Sequence, residues 1–419
     1  MALDAIALRT RAREIFDHAV AAADPALALR KELAVRPLPV PSDGGRCILI
    51  AIGKAAPAML TEALHHVRGP RVALAVTHHE NTANLDGATV LRAGHPVPDA
   101  AGLAAGQRVM DLLRSAHEND RVIALISGGG SALLPAPLAG ISLEDKAALN
   151  RLLLGAGLDI TQMNLVRQQV SKLKGGGLLR LAAPAPVTAY ILSDVIGDDL
   201  RAVASGPTVA PIGTREDART IAIKAGIWAR FPGAIRARLE DGVAPAAEPP
   251  LPQNILIGSN RMSLEAALQD ASQSFDAHIV SDALVGDVAS AAEQILQSPV
   301  TDGPCALLFG GETTVRLTGT GRGGRNQELA LRIALRAQEM PKRPWLFLSG
   351  GTDGRDGPTS AAGGFADAGT TARIRAAGLD PHALLANNDS YKALSAAGDL
   401  LETGATGTNV ADIQMLLLA

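Results

Sequence analysis

Two cysteines in 419 residues, Cys47 and Cys305, are too few for a disulfide framework. Both sit in or beside apolar runs and read as reduced, structural thiols of a cytoplasmic protein. Aromatic residues make up only 2% of the chain, so it lacks the stacking platforms that hold single-stranded nucleic acid. A net charge of −3 supplies no general attraction to nucleic acid or to anionic membranes. No stretch approaches the ~18 consecutive apolar residues of a membrane span. The first twenty residues are interrupted by Asp4, Arg9, Arg11, Arg13 and Glu14, which excludes a secretory signal. That segment reads as an amphipathic helix on the surface of a first domain.

What the chain does have is a series of short apolar runs, each ending in a glycine-rich polar loop. Ile48–Ile52 leads into Gly53-Lys54, Val122–Ile126 into Ser127-Gly128-Gly129-Gly130-Ser131, and Ala189–Leu192 into Ser193-Asp194. Ile255–Ile257 leads into Gly258-Ser259-Asn260, Ala306–Phe309 into Gly310-Gly311-Glu312, and Trp345–Leu348 into Ser349–Gly354. Runs of this kind with helical stretches between them read as buried parallel strands. In open parallel sheets ligands bind beyond the carboxyl ends of the strands, where the polar residues gather here. Bare N–H groups of glycine loops hold anions, so the pattern implies a crevice for something phosphorylated. The length favours two domains. The expected fold class is α/β: two α/β/α domains, the first Rossmann-like with a mainly parallel sheet. Residues 1–240 form the first domain, the Ala- and Pro-rich 241–253 a linker, and 254–419 the second, with Asp412–Leu418 a last strand that could return to the first.

Particular residues stand out at the loop positions. Lys54 is one of only 8 lysines against 31 arginines, and it opens a helix directly after the first strand, a position that suits a phosphate. Ala51 replaces the first glycine of a dinucleotide fingerprint, so that motif is incomplete. Ser127–Ser131 forms a nest of donors. Lys172 and Lys174, with Arg167, precede three glycines and form a candidate basic loop over a phosphate. Asp194 stands where a carboxylate can take a proton from a hydroxyl or meet Mg2+. Arg325, in a glycine-rich segment, can clamp a carboxylate or phosphate, and Glu312 and Asp353 are candidate metal ligands. His65-His66 and His78-His79 lack zinc-site spacing. His95, flanked by Pro96 and Pro98, stands in a rigid loop able to wall a crevice.

Taken together and in order, IGKAAPAM, GHPVPD, SGGGSALL, MNLVRQQVSKLKGGGL, LSDVIGDD, ASGPT, IGSN, GGETTV, GRGGRNQE and SGGTDGRDGPTSAAGG resemble the class II glycerate 2-kinases, whose C-terminal region is called MOFRL. The resemblance runs from about residue 46 onward. It implies transfer of the ATP γ-phosphoryl group to the 2-hydroxyl of D-glycerate, with Mg2+, in an active site in the cleft between two α/β domains. It also matches Lys54 and Arg325 to the family's lysine after the first strand and its arginine in GRNQE. On this reading Lys54, Arg325 and Asp194 are catalytic. Ser127, Gly128, Gly129, Gly130, Ser131, Lys172 and Lys174 bind substrate or phosphate. Gly258, Ser259, Asn260, Gly310, Gly311 and Asn326 hold the nucleotide, and Glu312 and Asp353 the metal. The partners are D-glycerate and ATP, with no nucleic acid and no membrane, and a homodimer is left open.

Two other readings compete. An NAD(P)H-dependent hydroxypyruvate reductase fits an α/β crevice, with Glu80 as the ribose-binding acid, and the family has also carried that label; the incomplete first-turn fingerprint speaks against it. A non-catalytic two-lobed protein binding a small anion is the third; the acidic residues at strand ends argue for metal chemistry instead.

Overall fold

The computed structural model describes residues 4–242 and 251–419. Most of the expected linker lies outside the described residues. The first sheet contains β1 (Cys47–Ile52), β2 (Arg71–His78), β3 (Thr89–Ala93), β4 (Arg121–Ile126), β5 (Val187–Leu192) and β6 (Gln253–Gly258), in the order β3-β2-β1-β4-β5-β6. Neighbours from β3 through β5 are parallel. β1 and β5 are buried at every position, which is why they read as unbroken apolar runs. The helices that follow the chain here are α1 (Ala5–Ala22), α2 (Pro25–Val35), α3 (Ala56–His66), α4 (Ala100–Arg114), α5 (Gly130–Leu133), α6 (Leu143–Gly155) and α7 (Ile160–Gln169). Capping boxes start α6 and α7: Ser142 with Asp145, and Asp159 with Gln162. These two pack with the helices Arg215–Lys224 and Gly233–Glu240 around a core of their own, built on Leu149, Leu153, Val166, Ala222, Phe231 and Ile235.

The second sheet contains β7 (Asp276–Asp287), β8 (Cys305–Thr314), β9 (Trp345–Gly351), β10 (Gly363–Ala366), β11 (Leu400–Leu401) and β12 (Asp412–Leu418). Its order is β11-β10-β9-β12-β8-β7. Only β7 and β8 are parallel; β12 lies antiparallel between β8 and β9. A strand buried on both faces reads the same whichever way it runs, so this mixed character left no mark on the sequence pattern.

The compact units depart from the expected boundaries. One comprises the chain up to Leu27, Asp194–Gly197 and the chain from Gly258; the other comprises Ala28–Ser193 and Asp198–Ile257. Two corrections follow. The strand near residue 255 is β6, a member of the first sheet beside β5, and the Asn254 side chain donates to Thr208 O at 3.0 Å. Helix α1 is no surface helix of the first domain. Leu8, Ala12, Ile15, Phe16 and Ala19 repeat at helical spacing and are buried in one core with Leu348, Ile413, Met415 and Leu417 of the second sheet. Two of its arginines are anchored: Arg11 bonds Asp270 Oδ1 at 2.9 Å and Asp270 O at 2.6 Å, and Arg9 bonds Asp399 at 2.6 Å. Among the described residues no helix is long and apolar enough to cross a membrane.

Candidate active site

In the sheet order β3-β2-β1-β4-β5-β6 the connections reverse direction between β1 and β4, and ligands of such sheets bind at that switch point. Here it is bordered by Gly53-Lys54 after β1 and Ser127–Ser131 after β4. The two loops are stitched together. Lys54 N–H donates to Gly128 O at 3.0 Å, and Ala55 N–H donates to Ser127 Oγ at 3.1 Å. Ser127 is thereby a buried staple of the loop. Gly53, at φ +124°, admits no side chain, since a Cβ would lie 2.2 Å from Ser127 Oγ. At Gly129 (φ +84°) a Cβ would stand 3.2 Å from the His95 ring and 3.3 Å from Lys54 Cγ. Lys54, Gly129 and His95 are therefore neighbours. No carboxylate among the described residues pairs with Lys54.

Beside this loop lies a cavity of about 190 Å³. Its wall includes His95, Gly129 and Ser131 from the sheet side, Lys146 and Asn150 from α6, Arg167 from α7, and Lys174. Three cations converge with no Asp or Glu in the wall. Each is opposed by its surroundings. Burial, and secondarily Arg167, lowers the Lys146 ammonium to about 8. Burial lowers Lys174 well below the ordinary lysine range, with Lys146 and Arg167 adding to it, and lowers Arg167 too. His95 is brought to about 4 by burial and by Lys54, so it stands neutral at pH 7. Buried like charges without a counter-charge are costly, and such a cluster in a cavity is a candidate anion site.

The wall is braced from behind. Lys174 Nζ donates to Ser131 O at 3.1 Å and to Ser131 Oγ. Ser131 Oγ meets Ser205 Oγ at 3.1 Å, and Ser205 donates to Asn164 Oδ1 at 2.9 Å. Ser205 holds φ +61° and its neighbour Ala204 φ +49°, backbone strain of the kind found at functional sites. Arg167 donates to Asn150 Oδ1. Lys146 Nζ is buried with no hydrogen-bond partner. Lys172, expected in the substrate set, is half-buried and stands outside this wall. Ser205 lies in the ASGPT run but was given no role there, and Lys146 and Asn150 went unnoticed in the sequence. The last two lie on an ordinary-looking helix, and only their joint convergence with Arg167 gives them away.

The unit built on the second sheet holds an acidic group around one arginine. Arg325 opens the helix Arg325–Leu335 and grips Asp412 through Nε at 2.5 Å and Nη2 at 2.9 Å, with Glu312 at 3.2 Å. Burial works against the Arg325 charge, but these carboxylates raise its pKa. Asp412 is fully buried. Glu312 is pushed up by burial and by the charges of Asp412, Asp194 and Asp353, against the pull of Arg325. Asp194, Glu312 and Asp353, each singled out in the sequence, are thus brought into one electrostatic group, with Asp412 the member that was missed. Asp356 caps the helix by accepting from Asn326 N at 3.1 Å and Gln327 N at 2.8 Å, and burial raises it to about 7. No group of three His, Cys, Asp or Glu side chains forms a metal cage among the described residues. Mg2+ asks for less: it keeps several waters and takes one or two carboxylates together with substrate phosphates. The surplus of carboxylates over Arg325 fits that requirement.

The residues expected on the nucleotide have positions within the fold. Asn260 is buried, its Nδ2 donating to Val410 O and Asp412 O at 2.8 Å each. A Cβ on Gly310 would lie 2.0 Å from Asn260 Oδ1, and one on Gly311 would lie 2.2 Å from Leu284 O. Ser259 caps the helix Asn260–Ala271, Gly258 ends β6, and Asn326 Oδ1 accepts from Ser349 Oγ at 2.6 Å.

A Rossmann-ordered sheet with a carboxylate-free cationic cavity at its switch point, and a carboxylate-rich group in the other unit, defines an α/β enzyme for a small anion. Comparison with known proteins narrows this. Residues 11–240 match a family described as a domain of unknown function, DUF4147, and residues 305–412 match the MOFRL family. A glycerate 2-kinase of Pyrococcus horikoshii is 37% identical over 99% of this chain and 98% of its own. A D-glycerate 2-kinase of Thermotoga maritima is 37% identical over 98% of each. A crystal structure of glycerate kinase from Thermotoga maritima superposes with a TM-score of 0.89 at 36% identity, covering 98% of this chain and 99% of that one. Other relatives bear a provisional hydroxypyruvate reductase name. The chain belongs to the class II glycerate 2-kinase family.

Proposed function

We propose that this protein transfers the γ-phosphoryl group of ATP to the 2-hydroxyl of D-glycerate, giving 2-phospho-D-glycerate and ADP. The observation that carries the substrate assignment is the cavity, where three cations and no carboxylate line about 190 Å³. At ~30 Å³ per water that is room for roughly six waters, enough for a three-carbon acid and too little for a nucleotide, whose pockets run to ~300 Å³ and more. Arg167 and Lys174 hold the glycerate carboxylate, Lys146 adds its charge from α6 without pairing to it, and neutral His95 is placed to hydrogen-bond a hydroxyl. Lys54, without a carboxylate partner, neutralises charge on the transferring phosphoryl group. Phosphoryl transfer depends on positioning and charge neutralisation more than on covalent chemistry. Asp194, two residues past β5, orients or deprotonates the acceptor hydroxyl, and Arg325, held by Asp412, contributes its remaining donors to the phosphoryl oxygens. Glu312 and Asp353 would hold Mg2+, which neutralises phosphate charge when bound. A cytoplasmic location belongs to this reading and is supported by two free, buried cysteines; the homodimer is checked by sedimentation.

The test is a phosphorus NMR time course with ATP, Mg2+ and D-glycerate. A 2-phosphoglycerate resonance is expected, and Lys54→Met should lower kcat by roughly 100-fold or more without moving the melting temperature. Intact ATP together with NADH oxidation by hydroxypyruvate would overturn the reading in favour of a reductase.

A further inference from the structure

The cavity carries more positive charge than D-glycerate can answer. Lys146, Arg167 and Lys174 face it with no acidic side chain in the wall, and D-glycerate brings a single carboxylate. The three cations are also unequally engaged. Lys174 is tied to Ser131 and Arg167 to Asn150, whereas Lys146 Nζ is buried with no partner at all. A planar guanidinium matches one carboxylate in bidentate fashion. With that carboxylate on Arg167 and Lys174, the ammonium of Lys146, on a different helix, still lacks a counter-charge.

We propose that the cavity recognises the dianions of compact 2-hydroxy-dicarboxylic acids, hydroxymalonate foremost, and binds them more tightly than D-glycerate. The inference rests on the cavity being the glycerate site. Hydroxymalonate keeps the 2-hydroxyl and exchanges the terminal hydroxymethyl group for a second carboxylate, a net gain of one oxygen for which about 190 Å³ leaves room. The first carboxylate lies on Arg167 and Lys174 and the second on Lys146. Buried charge pairs of this sort favour a ligand only when both partners are hydrogen-bonded, and the three unused protons of Lys146 supply those bonds.

Isothermal titration calorimetry on the full-length protein, in a buffer free of phosphate and sulfate, compares the two acids. Hydroxymalonate is expected to bind with a Kd roughly tenfold or more below that of D-glycerate, about 1.4 kcal/mol, and to compete with it in the kinase assay. Lys146→Gln should abolish the preference while Lys146→Arg, which keeps the charge, retains it; the Arg variant also serves if the Gln variant fails to fold. Equal or weaker binding of hydroxymalonate to the wild type overturns the inference and leaves the glycerate site standing. A preference that survives Lys146→Gln overturns it as well. D-glycerate affinity unchanged in both Lys146→Gln and Arg167→Gln would instead remove the cavity from the glycerate reading, and the inference with it.

Discussion

Replacing Lys146 by Met should make the ligand-free protein more stable and poorer at its task. The ammonium is buried beside Arg167 with no acceptor, and its pKa falls from 10.5 to about 8, by burial first and by Arg167 second. That difference corresponds to roughly 3 kcal/mol of destabilisation at neutral pH. Met keeps the apolar stem and removes the charge. At ~2–4 °C per kcal/mol for a domain of 150–250 residues, the melting temperature should rise by about 6–12 °C. The effect has a pH signature. Below about pH 8 both folded and unfolded states carry the proton, so the penalty is full. Between about 8 and 10.5 the folded state releases the proton first, and wild-type stability climbs toward that of the variant. Above 10.5 the gap closes. Scanning calorimetry from pH 7 to 10.5 without phosphate or sulfate reads this directly. D-glycerate, in turn, should raise the melting temperature of the wild type more than that of the variant, because ligand stabilisation follows affinity. A variant that melts at or below the wild-type temperature at pH 7, or a gap that persists unchanged to pH 10.5, would refute the reasoning.

Three further outcomes are expected. Asp412→Asn removes the buried partner of Arg325; removing one member of a buried pair costs ~3–5 kcal/mol, and since the Arg325 side chain is 34% exposed about 2–3 kcal/mol is expected in urea unfolding, with a fall in kcat. Gly310→Ala drives a methyl group to 2.0 Å from Asn260 Oδ1 and should lower stability by ~1–3 kcal/mol, seen as a lower urea midpoint. Asp356, raised from 3.8 to about 7 chiefly by burial, binds its proton more tightly folded than unfolded; stability should therefore decline as pH rises from about 4 to 7, and Asp356→Asn should flatten that slope in denaturation curves measured across the window.

The strands were legible because burial on both faces leaves an unbroken apolar run, as at β1 and β5. Lys54 and Ser127–Ser131 were legible because the switch-point loops need glycine where the backbone crosses closely, and a lysine at such a loop is conspicuous. What escaped notice lay where chemistry looks like ordinary structure. LEDKAALNRLLLG is a well-capped helix, and nothing in it distinguishes Lys146 from a solvated lysine until α7 brings Arg167 across from it. Asp412 begins an apolar strand and gains its meaning only from Arg325, 87 residues earlier. Gly310 was read as a nucleotide contact, and its close packing against the Asn260 side chain, which also requires glycine, was not legible. The placement of α1 was hidden for the same reason: its apolar stripe specifies burial, not the partner.

The position of β12 has a consequence for synthesis. The polypeptide emerges with β8 and β9 already made, but the strand that separates them arrives after β10 and β11. Until it does, neither inner edge has its neighbour, and the core shared by Leu8, Ile15 and Phe16 of α1 lacks Ile413, Met415 and Leu417. The unit that ends at Ile257 can meanwhile complete its sheet. A ribosome stalled, or a chain cut, before residue 412 would thus release a finished half joined to two naked strand edges and an incomplete core, a species prone to aggregate and in need of chaperones.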